Sequence, residues 1–362
     1  MKIGILTFHN PNNYGALLQA YCLQSVLEKD GHQIEIIDYR NQAIENRVRP
    51  FTFKHFLNNP IKYIIRLVNV YYWNRQQEKL FDSFRHKVLH LSQRIINKED
   101  IESLDYERIV IGSDQVWNPL LTGGFDPIYF GQYKPKGAKV ISYAASSSVK
   151  EMLKADNSNL SKWFETFSAI NVREPALKES IQPLTSKKVN VTIDPTLLAG
   201  REMLEKIATE RVVKERYIFV YGVEADPNLW TIARKVSKDY NAKIVTAPML
   251  ALSTRLKARD INCVNAGIPE LLSLIKYAES VVALSFHGTV LSLLFHKSFF
   301  SVVGGNMARV NGVLSKVGLE DRIVEHANDT NTSTIAYDII DEKLSAMRGE
   351  SLSLLKEGLN AV

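Results

Sequence analysis

Residues 2–38 have the sequence KIGILTFHNPNNYGALLQAYCLQSVLEKDGHQIEIID, which predicts how the chain begins to fold. The apolar run Lys2–Thr7 predicts a strand, and the spacing of apolar residues over Ala16–Lys29 predicts a helix. Gly31 ends that helix, and Ile34–Asp38 predicts a second strand. A strand, a helix and a strand at this spacing indicate a right-handed crossover in a parallel sheet.

The same alternation of strand and helix recurs along the rest of the chain. Further strands are predicted, with a pause around 197–213, at Arg108–Ile111, Lys139–Tyr143, Ala169–Val172, Val189–Ile193, Tyr217–Tyr221, Lys243–Thr246, Ile261–Val264, Val281–Leu284 and Phe299–Val303. We therefore expect an α/β protein with two Rossmann-like βα domains that face a cleft, as in a glycosyltransferase-B-like architecture. The 362 residues divide into a domain at 1–198, with a basic helical insertion at about 41–105, and a domain at 199–362 with a terminal helix.

Composition indicates an ordinary globular protein, with 45% hydrophobic and 23% charged residues. The two cysteines, Cys22 and Cys263, lie far apart and outside any metal-binding spacing, so we expect reduced thiols and a cytoplasmic protein. Met1 leads directly into a strand without a signal-peptide pattern, and no apolar run is long enough to span a membrane. Neither an HExxH motif nor a Walker lysine occurs, so we expect neither a metal site nor an ATPase site.

The net charge of +6 is concentrated in the insertion. Between residues 45 and 98 the acidic residues are only Glu45, Glu78 and Asp82, whereas arginines, lysines and aromatic residues are frequent. Such a segment could lie on an anionic membrane surface or cover an anionic substrate, or it could be a solvated helical insertion whose aromatic residues pack on the core. No recognised nucleic-acid-binding motif accompanies it, so no nucleic-acid partner is expected.

Function-prone residues follow the predicted strands. The densest group, after Ile111, contains Ser113, Asp114, Gln115, Trp117 and Asn118. Asp114 could accept a proton or orient a hydroxyl, the two amides could bind sugar hydroxyls, and the indole could stack on a sugar. The alternative is a capped turn with a buried tryptophan.

Two other strand ends carry candidate residues. Arg173 and Ser146 each follow a strand, and an arginine there could clamp a carboxylate or phosphate; the alternative is a surface pair with Glu174. The turn after the first strand supplies Asn13, Tyr14 and Gly15 ahead of a helix, which suits a phosphate or a sugar, although its composition also fits a plain turn.

A further candidate lies in the second predicted domain, at residues 285–290 (SFHGTV) between a strand and a helix. The free N–H groups of the helix can hold an anion, and His287 can move a proton near neutral pH. Ser285, Gly288 and Thr289 are candidate binding residues beside it, and Arg309 and Arg322 could add positive charge. The alternative is a capped helix with a satisfied histidine.

Taken in order, these motifs resemble the polysaccharide pyruvyl transferase family of bacterial cell-surface biosynthesis. The resemblance covers about Lys2–Arg322 and rests on NNYGALLQA at 12–20, GSDQVWN at 112–118, SYAAS at 142–146, VRE at 172–174, DPTLL at 194–198 and SFHGT at 285–289. It implies a glycosyltransferase-B-like fold and the transfer of pyruvate from phosphoenolpyruvate to two hydroxyls of a sugar, which gives a cyclic ketal and phosphate.

The resemblance also implies roles for individual residues. Arg173 takes the position of the family's functional arginine and His287 that of its motif histidine, so His287 is expected as general acid or partner of the leaving phosphate, and Arg173 as the anion clamp. Asp114 is expected to orient or deprotonate a sugar hydroxyl. The chain departs from the family at Ala16, where many members carry an acidic residue, and at Phe286, where many carry an arginine.

Several alternatives remain open on the sequence alone. No cofactor is expected beyond phosphoenolpyruvate as donor, and the acceptor could be a sugar, a nucleotide sugar or a lipid-linked oligosaccharide, the last at the inner face of the membrane. A nucleotide-sugar-dependent glycosyltransferase and a non-catalytic, membrane-associated component of polysaccharide assembly are the competing functions.

Overall fold

The computed structural model describes residues 1–48, 75–154, 157–222, 226–247, 261–304 and 307–361. They form two compact units. The first takes its described residues from Met1–Phe51, Asp82–Ala199 and Ala346–Val362, and the second from Thr52–Phe81 and Gly200–Ser345. The sequence-based division assigned the terminal residues to the second domain, whereas in the structure those from Ala346 onward group with the first unit.

The first unit is built on a parallel sheet of seven strands in the order β3-β2-β1-β4-β5-β6-β7. The strands are β1 (Lys2–Leu6), β2 (Gln33–Tyr39), β3 (Leu91–Ile95), β4 (Arg108–Ile111), β5 (Lys139–Ser142), β6 (Phe167–Val172) and β7 (Val189–Val191). Because β1 lies between β2 and β4, the strand order reverses there, which is the point where doubly wound sheets bind ligands at the carboxyl ends of their strands.

The second unit repeats this arrangement with six parallel strands in the order β10-β9-β8-β11-β12-β13. They are β8 (Tyr217–Tyr221), β9 (Lys243–Thr246), β10 (Ile261–Cys263), β11 (Ser280–Ala283), β12 (Ser298–Val302) and β13 (Ile323–Val324). The reversal falls between β8 and β11. The prediction of two parallel α/β sheets is confirmed.

Helices connect the strands. The α-helices are α1 (Tyr14–Lys29), α2 (Gln42–Val48), α3 (75–88), α4 (Lys98–Glu102), α5 (Pro119–Thr122), α6 (Val149–Lys154), α7 (Asn157–Glu165), α8 (Pro175–Ile181), α9 (Pro195–Glu205), α10 (Pro227–Asp239), α11 (Ile268–Lys276), α12 (Phe286–Leu294), α13 (Met307–Val317) and α14 (Tyr337–Asn360). Short 3₁₀ turns lie at Pro127–Phe130, Gln182–Leu184, Glu320–Arg322 and Ala327–Asp329. In the part of the chain that the structure describes, no helix has the length and apolar character to cross a membrane.

The predicted helical insertion at 41–105 is only partly helical. Its described residues include α2, α3 and α4, but also the strand β3, which pairs in parallel with β2. Of the five residues in β3 only Ile95 is buried, so this strand lacks the apolar run by which the others were predicted. Most of the aromatic residues behind the membrane and substrate-cover interpretations fall at 49–74, outside the described residues.

Candidate functional site

The turn after β4 brings the carboxyl ends of three strands together. Gly112 has φ +112°, and a Cβ added there would lie 2.3 Å from the backbone oxygen of Tyr143, so only glycine fits without displacing the backbone that follows β5. Beyond this turn, Asp114 pairs in parallel with Ala145, which in turn pairs with Val172. The sheet therefore continues past the ends of β4 and β5, and the residues that follow these strands lie side by side.

At this edge six polar residues form what we call the Arg173 cluster. Its members are Ser113, Asp114, Ser146, Arg173, Glu174 and Asp194. The Arg173 guanidinium donates from Nε to Oε1 of Glu174 and from Nη1 to Oδ2 of Asp194, each at 2.9 Å. The Ser146 hydroxyl donates to the same Oε1 of Glu174 at 2.9 Å, and its backbone N–H donates to the carbonyl of Asp114 at 2.9 Å.

The Arg173 guanidinium is permanently charged in this setting. Its side chain is 4% exposed, and that of Asp194 is fully buried. Burial by itself lowers the pKa of the Arg173 guanidinium, but the carboxylates of Glu174, Asp194 and Asp114 more than offset this effect, and the pKa lies above its usual value. The predicted surface pair with Glu174 is therefore a buried ion pair, and Arg173 is held in a fixed position by two carboxylates.

Asp194 is a cluster member that the sequence did not single out as a site residue. Its Oδ1 accepts hydrogen bonds from the backbone N–H and the hydroxyl of Thr196, at 3.0 and 2.7 Å. Its Oδ2 accepts from Arg173 and, at 3.5 Å, from the Ser113 hydroxyl. The signal was available, because Asp194 follows a predicted strand in the same way as Asp114 and Arg173.

Three other residues of the turn after β4 have structural roles. Asn118 caps α5 by accepting from the N–H of Leu120 at 3.1 Å, and its amide donates to Oε1 of Gln115 at 2.7 Å. Trp117 is 0% exposed, donates from its indole to the carbonyl of Tyr129 at 2.8 Å, and stacks on Phe130. The predicted stacking of Trp117 on a sugar is not supported, because its ring packs in the aromatic core of the first unit.

The loop after β1 reaches the same switch point of the sheet. Asn13 caps α1 by accepting from the N–H of Ala16 at 3.2 Å, while Tyr14 and Gly15 are buried in the first helical turn. Of these three predicted binding residues, only Asn13 is exposed. Thr7 joins this loop to the turn after β4, because its hydroxyl donates to the carbonyl of Ser113 at 2.9 Å.

Beneath this loop lies a buried charged group that the sequence did not indicate. Nε2 of His9 lies 2.9 Å from Oδ1 of Asp38, and Arg40 donates to both oxygens of the same carboxylate at 2.8 and 3.0 Å. Burial alone raises the pKa of Asp38, but the hydrogen bonds and charges of its two partners outweigh it and hold this pKa well below the usual range. The guanidinium of Arg85, from α3, donates to the carbonyl of His9 at 3.3 Å.

The candidate residues of the second unit cluster at the first turn of α12, next to its switch point. Ser285 caps the helix by accepting from the N–H of Gly288 at 3.1 Å. Gly288 is required for packing, because a Cβ there would lie 2.8 Å from the ring of Tyr221 on β8. His287 is half-buried, with its ring edge-on to that of Phe286 at a centroid distance of 5.3 Å.

Thr289 and the two arginines complete the predicted set. The Thr289 hydroxyl lies 2.7 Å from that of Ser301 and donates to the carbonyl of Ser285 at 3.1 Å, so it fixes α12 to β12. Arg309 is half-buried on α13. Arg322 is 1% exposed and donates to the backbone oxygens of Asn331 and Ser333 at 2.6 and 2.7 Å. Its guanidinium therefore holds the following loop in place, and the expectation that it adds positive charge to a site is not supported.

The structure thus brings Ser113, Asp114, Ser146 and Arg173 together in the first unit, and Ser285, His287, Gly288 and Thr289 together in the second. Each group lies at the carboxyl edge of its own sheet. Across the described ranges, no group of three or more histidine, cysteine, aspartate or glutamate side chains could hold a metal ion.

Comparison with solved structures supports the class of fold. The chain is similar to UDP-GlcNAc 2-epimerase from Methanocaldococcus jannaschii, with 12% identity, TM-score 0.53 and coverage of 96% of this chain and 93% of that one. It is similar to UDP-N-acetylglucosamine 2-epimerase from Rickettsia bellii, with 11% identity, TM-score 0.54 and coverage of 99% and 97%. It is also similar to AviGT4, a glycosyltransferase of avilamycin A biosynthesis, with 12% identity, TM-score 0.51 and coverage of 100% and 99%.

The fold is accordingly glycosyltransferase-B-like, built from two parallel α/β sheets. At these identities the likeness concerns the fold alone. The family model of polysaccharide pyruvyl transferases matches residues 13–306, and the chain belongs to that family. No curated protein sequence gives a significant match.

Proposed function

We propose that this protein transfers pyruvate from phosphoenolpyruvate to two hydroxyls of one sugar, with formation of a cyclic ketal and release of phosphate. The observation that carries the proposal is the family match over residues 13–306, which includes the polar strand ends of both units. The product would enter an exopolysaccharide, a capsule or a cell-wall polymer.

The reaction sets chemical requirements that the two groups of residues suit. The methylene carbon of phosphoenolpyruvate takes up a proton, and the neighbouring carbon becomes electrophilic. One sugar hydroxyl attacks that carbon, the carbon–oxygen bond to phosphate breaks, and a second hydroxyl closes the ring. The two hydroxyl protons balance the one gained by the methyl group and the one that leaves with hydrogen phosphate. The site therefore needs groups that accept protons, groups that donate them and positive charge for the donor.

The first turn of α12 suits the phosphate of the donor. A helix N-terminus offers N–H groups and the positive end of its dipole to an anion. His287 lies in that turn and is half-buried, so it can exchange a proton with a bound ligand. In the proposal it donates a proton to the leaving phosphate or to the methylene carbon.

The Arg173 cluster suits a sugar hydroxyl and an anionic group. It holds three carboxylates, those of Asp114, Glu174 and Asp194, against one guanidinium. Asp114 is half-buried, so its carboxylate can receive a hydrogen bond from a sugar hydroxyl. Arg173 is held by its ion pairs and would contact the carboxylate or phosphate of the donor.

Acceptor-dependent phosphate release tests the proposal. Purified protein is given phosphoenolpyruvate with galactose, glucose, mannose and N-acetylhexosamine acceptors, each free, nucleotide-linked and lipid-linked, and the product masses are measured. Phosphate release together with the mass gain of a pyruvate ketal is expected for one acceptor. A lipid-linked acceptor would place the cytoplasmic enzyme at the inner face of the membrane.

The competing function is sugar transfer from a nucleotide sugar, because a glycosyltransferase-B-like fold built from two parallel α/β sheets does not by itself separate the two reactions. No phosphate release with any acceptor, together with sugar transfer from a nucleotide sugar, would establish that function instead. Protein that catalyses neither reaction but sediments with anionic vesicles would support a non-catalytic assembly component.

The histidine assignment has its own test. His287→Ala is expected to lower kcat by about 100-fold or more. His86, which is exposed on α3, provides the matched control, and His86→Ala is expected to be fully active. Near-wild-type turnover of folded His287→Ala protein would contradict the assignment.

A further inference from the structure

The Glu174 carboxylate in the Arg173 cluster has one oxygen that the described protein does not use. Its Oε1 accepts from Arg173 and from Ser146, both at 2.9 Å. Its Oε2 is buried and has no hydrogen-bond partner among the described residues. A buried carboxylate oxygen without a partner is unfavourable, and in folded proteins such an atom is explained by a bound water or ion, by strain or by a catalytic role.

The position of Glu174 in the chain supports this interpretation. Glu174 is the N-cap residue of α8, where a carboxylate ordinarily accepts from a backbone N–H of the first helical turn. Here the side chain makes no capping hydrogen bond and is turned instead toward Arg173 and Ser146. The N-terminus of α8 therefore lacks a side-chain cap, and the Glu174 carboxylate belongs to the Arg173 cluster.

The neighbouring carboxylates differ in how their oxygens are engaged. Both oxygens of Asp194 already accept hydrogen bonds, from Thr196 on one side and from Arg173 on the other. Ser146 contacts both remaining acidic residues, because its N–H donates to the backbone of Asp114 and its hydroxyl donates to Glu174. Asp114 and Glu174 thus flank one serine at the edge of the sheet.

We propose that Glu174 is a second catalytic carboxylate, which receives one of the two sugar hydroxyls through Oε2. This inference rests on the proposed function, in which two hydroxyls of the same sugar attack one carbon in succession. Asp114 serves the first hydroxyl. Glu174 accepts the proton of the second as its oxygen bonds to the ketal carbon. The two protons that Asp114 and Glu174 take from the hydroxyls replace the one gained by the methyl group and the one that left with hydrogen phosphate, so the site returns to its starting protonation state. Arg173 and Ser146 hold the other oxygen and so fix the direction of Oε2.

Glu174→Gln tests the role with little change of shape. The glutamine carbonyl can still accept from Arg173 and Ser146, but an amide in place of Oε2 cannot take a proton. The expected result is a fall in kcat of about 100-fold or more, with KM for phosphoenolpyruvate changed by less than about threefold. Glu179→Gln is the matched control, because Glu179 is exposed on α8, and it is expected to be fully active.

Glu174→Asp separates catalysis from structural support. Aspartate restores a carboxylate, so kcat is expected to recover at least about tenfold over Glu174→Gln, measured below the Tm of each variant. If Glu174→Gln keeps wild-type kcat, or if both variants lose activity only in proportion to lost folded protein, Glu174 is structural and the inference is wrong. Wild-type protein without acceptor-dependent phosphate release would overturn the proposed function itself, and this inference with it.

Discussion

Removal of the Arg173 guanidinium tests how much its buried ion pairs with Glu174 and Asp194 stabilise the first unit. Arg173→Ala deletes both donors, at 2.9 Å, to Glu174 and Asp194. The arginine and Asp194 side chains are 4% and 0% exposed, so water can replace the lost donors only in part. Breaking a buried pair in this way costs about 3–5 kcal/mol, because it leaves an uncompensated buried charge.

This loss is large enough to measure by two methods. For a unit of this size, about 3–5 kcal/mol corresponds to a Tm lower by about 6–20 °C. Urea denaturation gives the free energy of unfolding directly, followed by the fluorescence of Trp117 in a background where the other three tryptophans are phenylalanine. Activity of the variant is interpretable only at temperatures where this unit remains folded.

Two further variants make the reasoning refutable. Arg216 pairs with Glu279 at 3.1 Å, but these side chains are 61% and 35% exposed, so Arg216→Ala should cost at most about 1 kcal/mol. Asp194→Asn in the Arg173→Ala background should restore about 1–3 kcal/mol, since the buried carboxylate is then uncharged. If Arg173→Ala costs no more than Arg216→Ala, the ion pairs do not stabilise the first unit.

Three other predictions concern stability and packing. Because the folded-state pKa of Asp38 is depressed, the ionised carboxylate stabilises the fold above about pH 4, and this stabilisation is lost as the pH falls toward the folded-state pKa. Between pH 5 and 2.5 the free energy of unfolding, measured by urea denaturation, should therefore fall by about 1–2 kcal/mol more for wild type than for Asp38→Asn. Equal losses would contradict this. Gly288→Ala places a Cβ 2.8 Å from the Tyr221 ring and should lower the free energy of unfolding by about 1–3 kcal/mol in urea denaturation. Gly312→Ala is the control, because a Cβ there has nothing within 4 Å, and it should be neutral or stabilising. Equal effects of the two substitutions would refute the packing argument. Trp117→Phe should lower Tm and leave the acceptor KM unchanged in steady-state kinetics, and a selective rise in that KM would return Trp117 to the sugar-binding site.

The sequence alone determined the fold class and most of the strands. Buried parallel strands such as β8, and β4 beyond its first residue, appear as short apolar runs, because both of their faces are covered. The polar residues after β4, β5 and β6 mark the carboxyl edge of the sheet, because each group directly follows such an apolar run in the sequence. The strand β3 was not predicted, because it lies at the edge of the sheet and buries only one of its residues.

Only the tertiary structure decided which of the candidate residues meet. Arg173 and Asp194 are 21 residues apart and become partners because β6 and β7 are neighbours, which no local pattern records. The same nonlocal packing places Trp117 in the core. It also turns the Glu174 carboxylate away from the helix that it would otherwise cap. Periodicity reports which face of an element is buried, whereas partners depend on strand order, and strand order is a property of the whole folded chain.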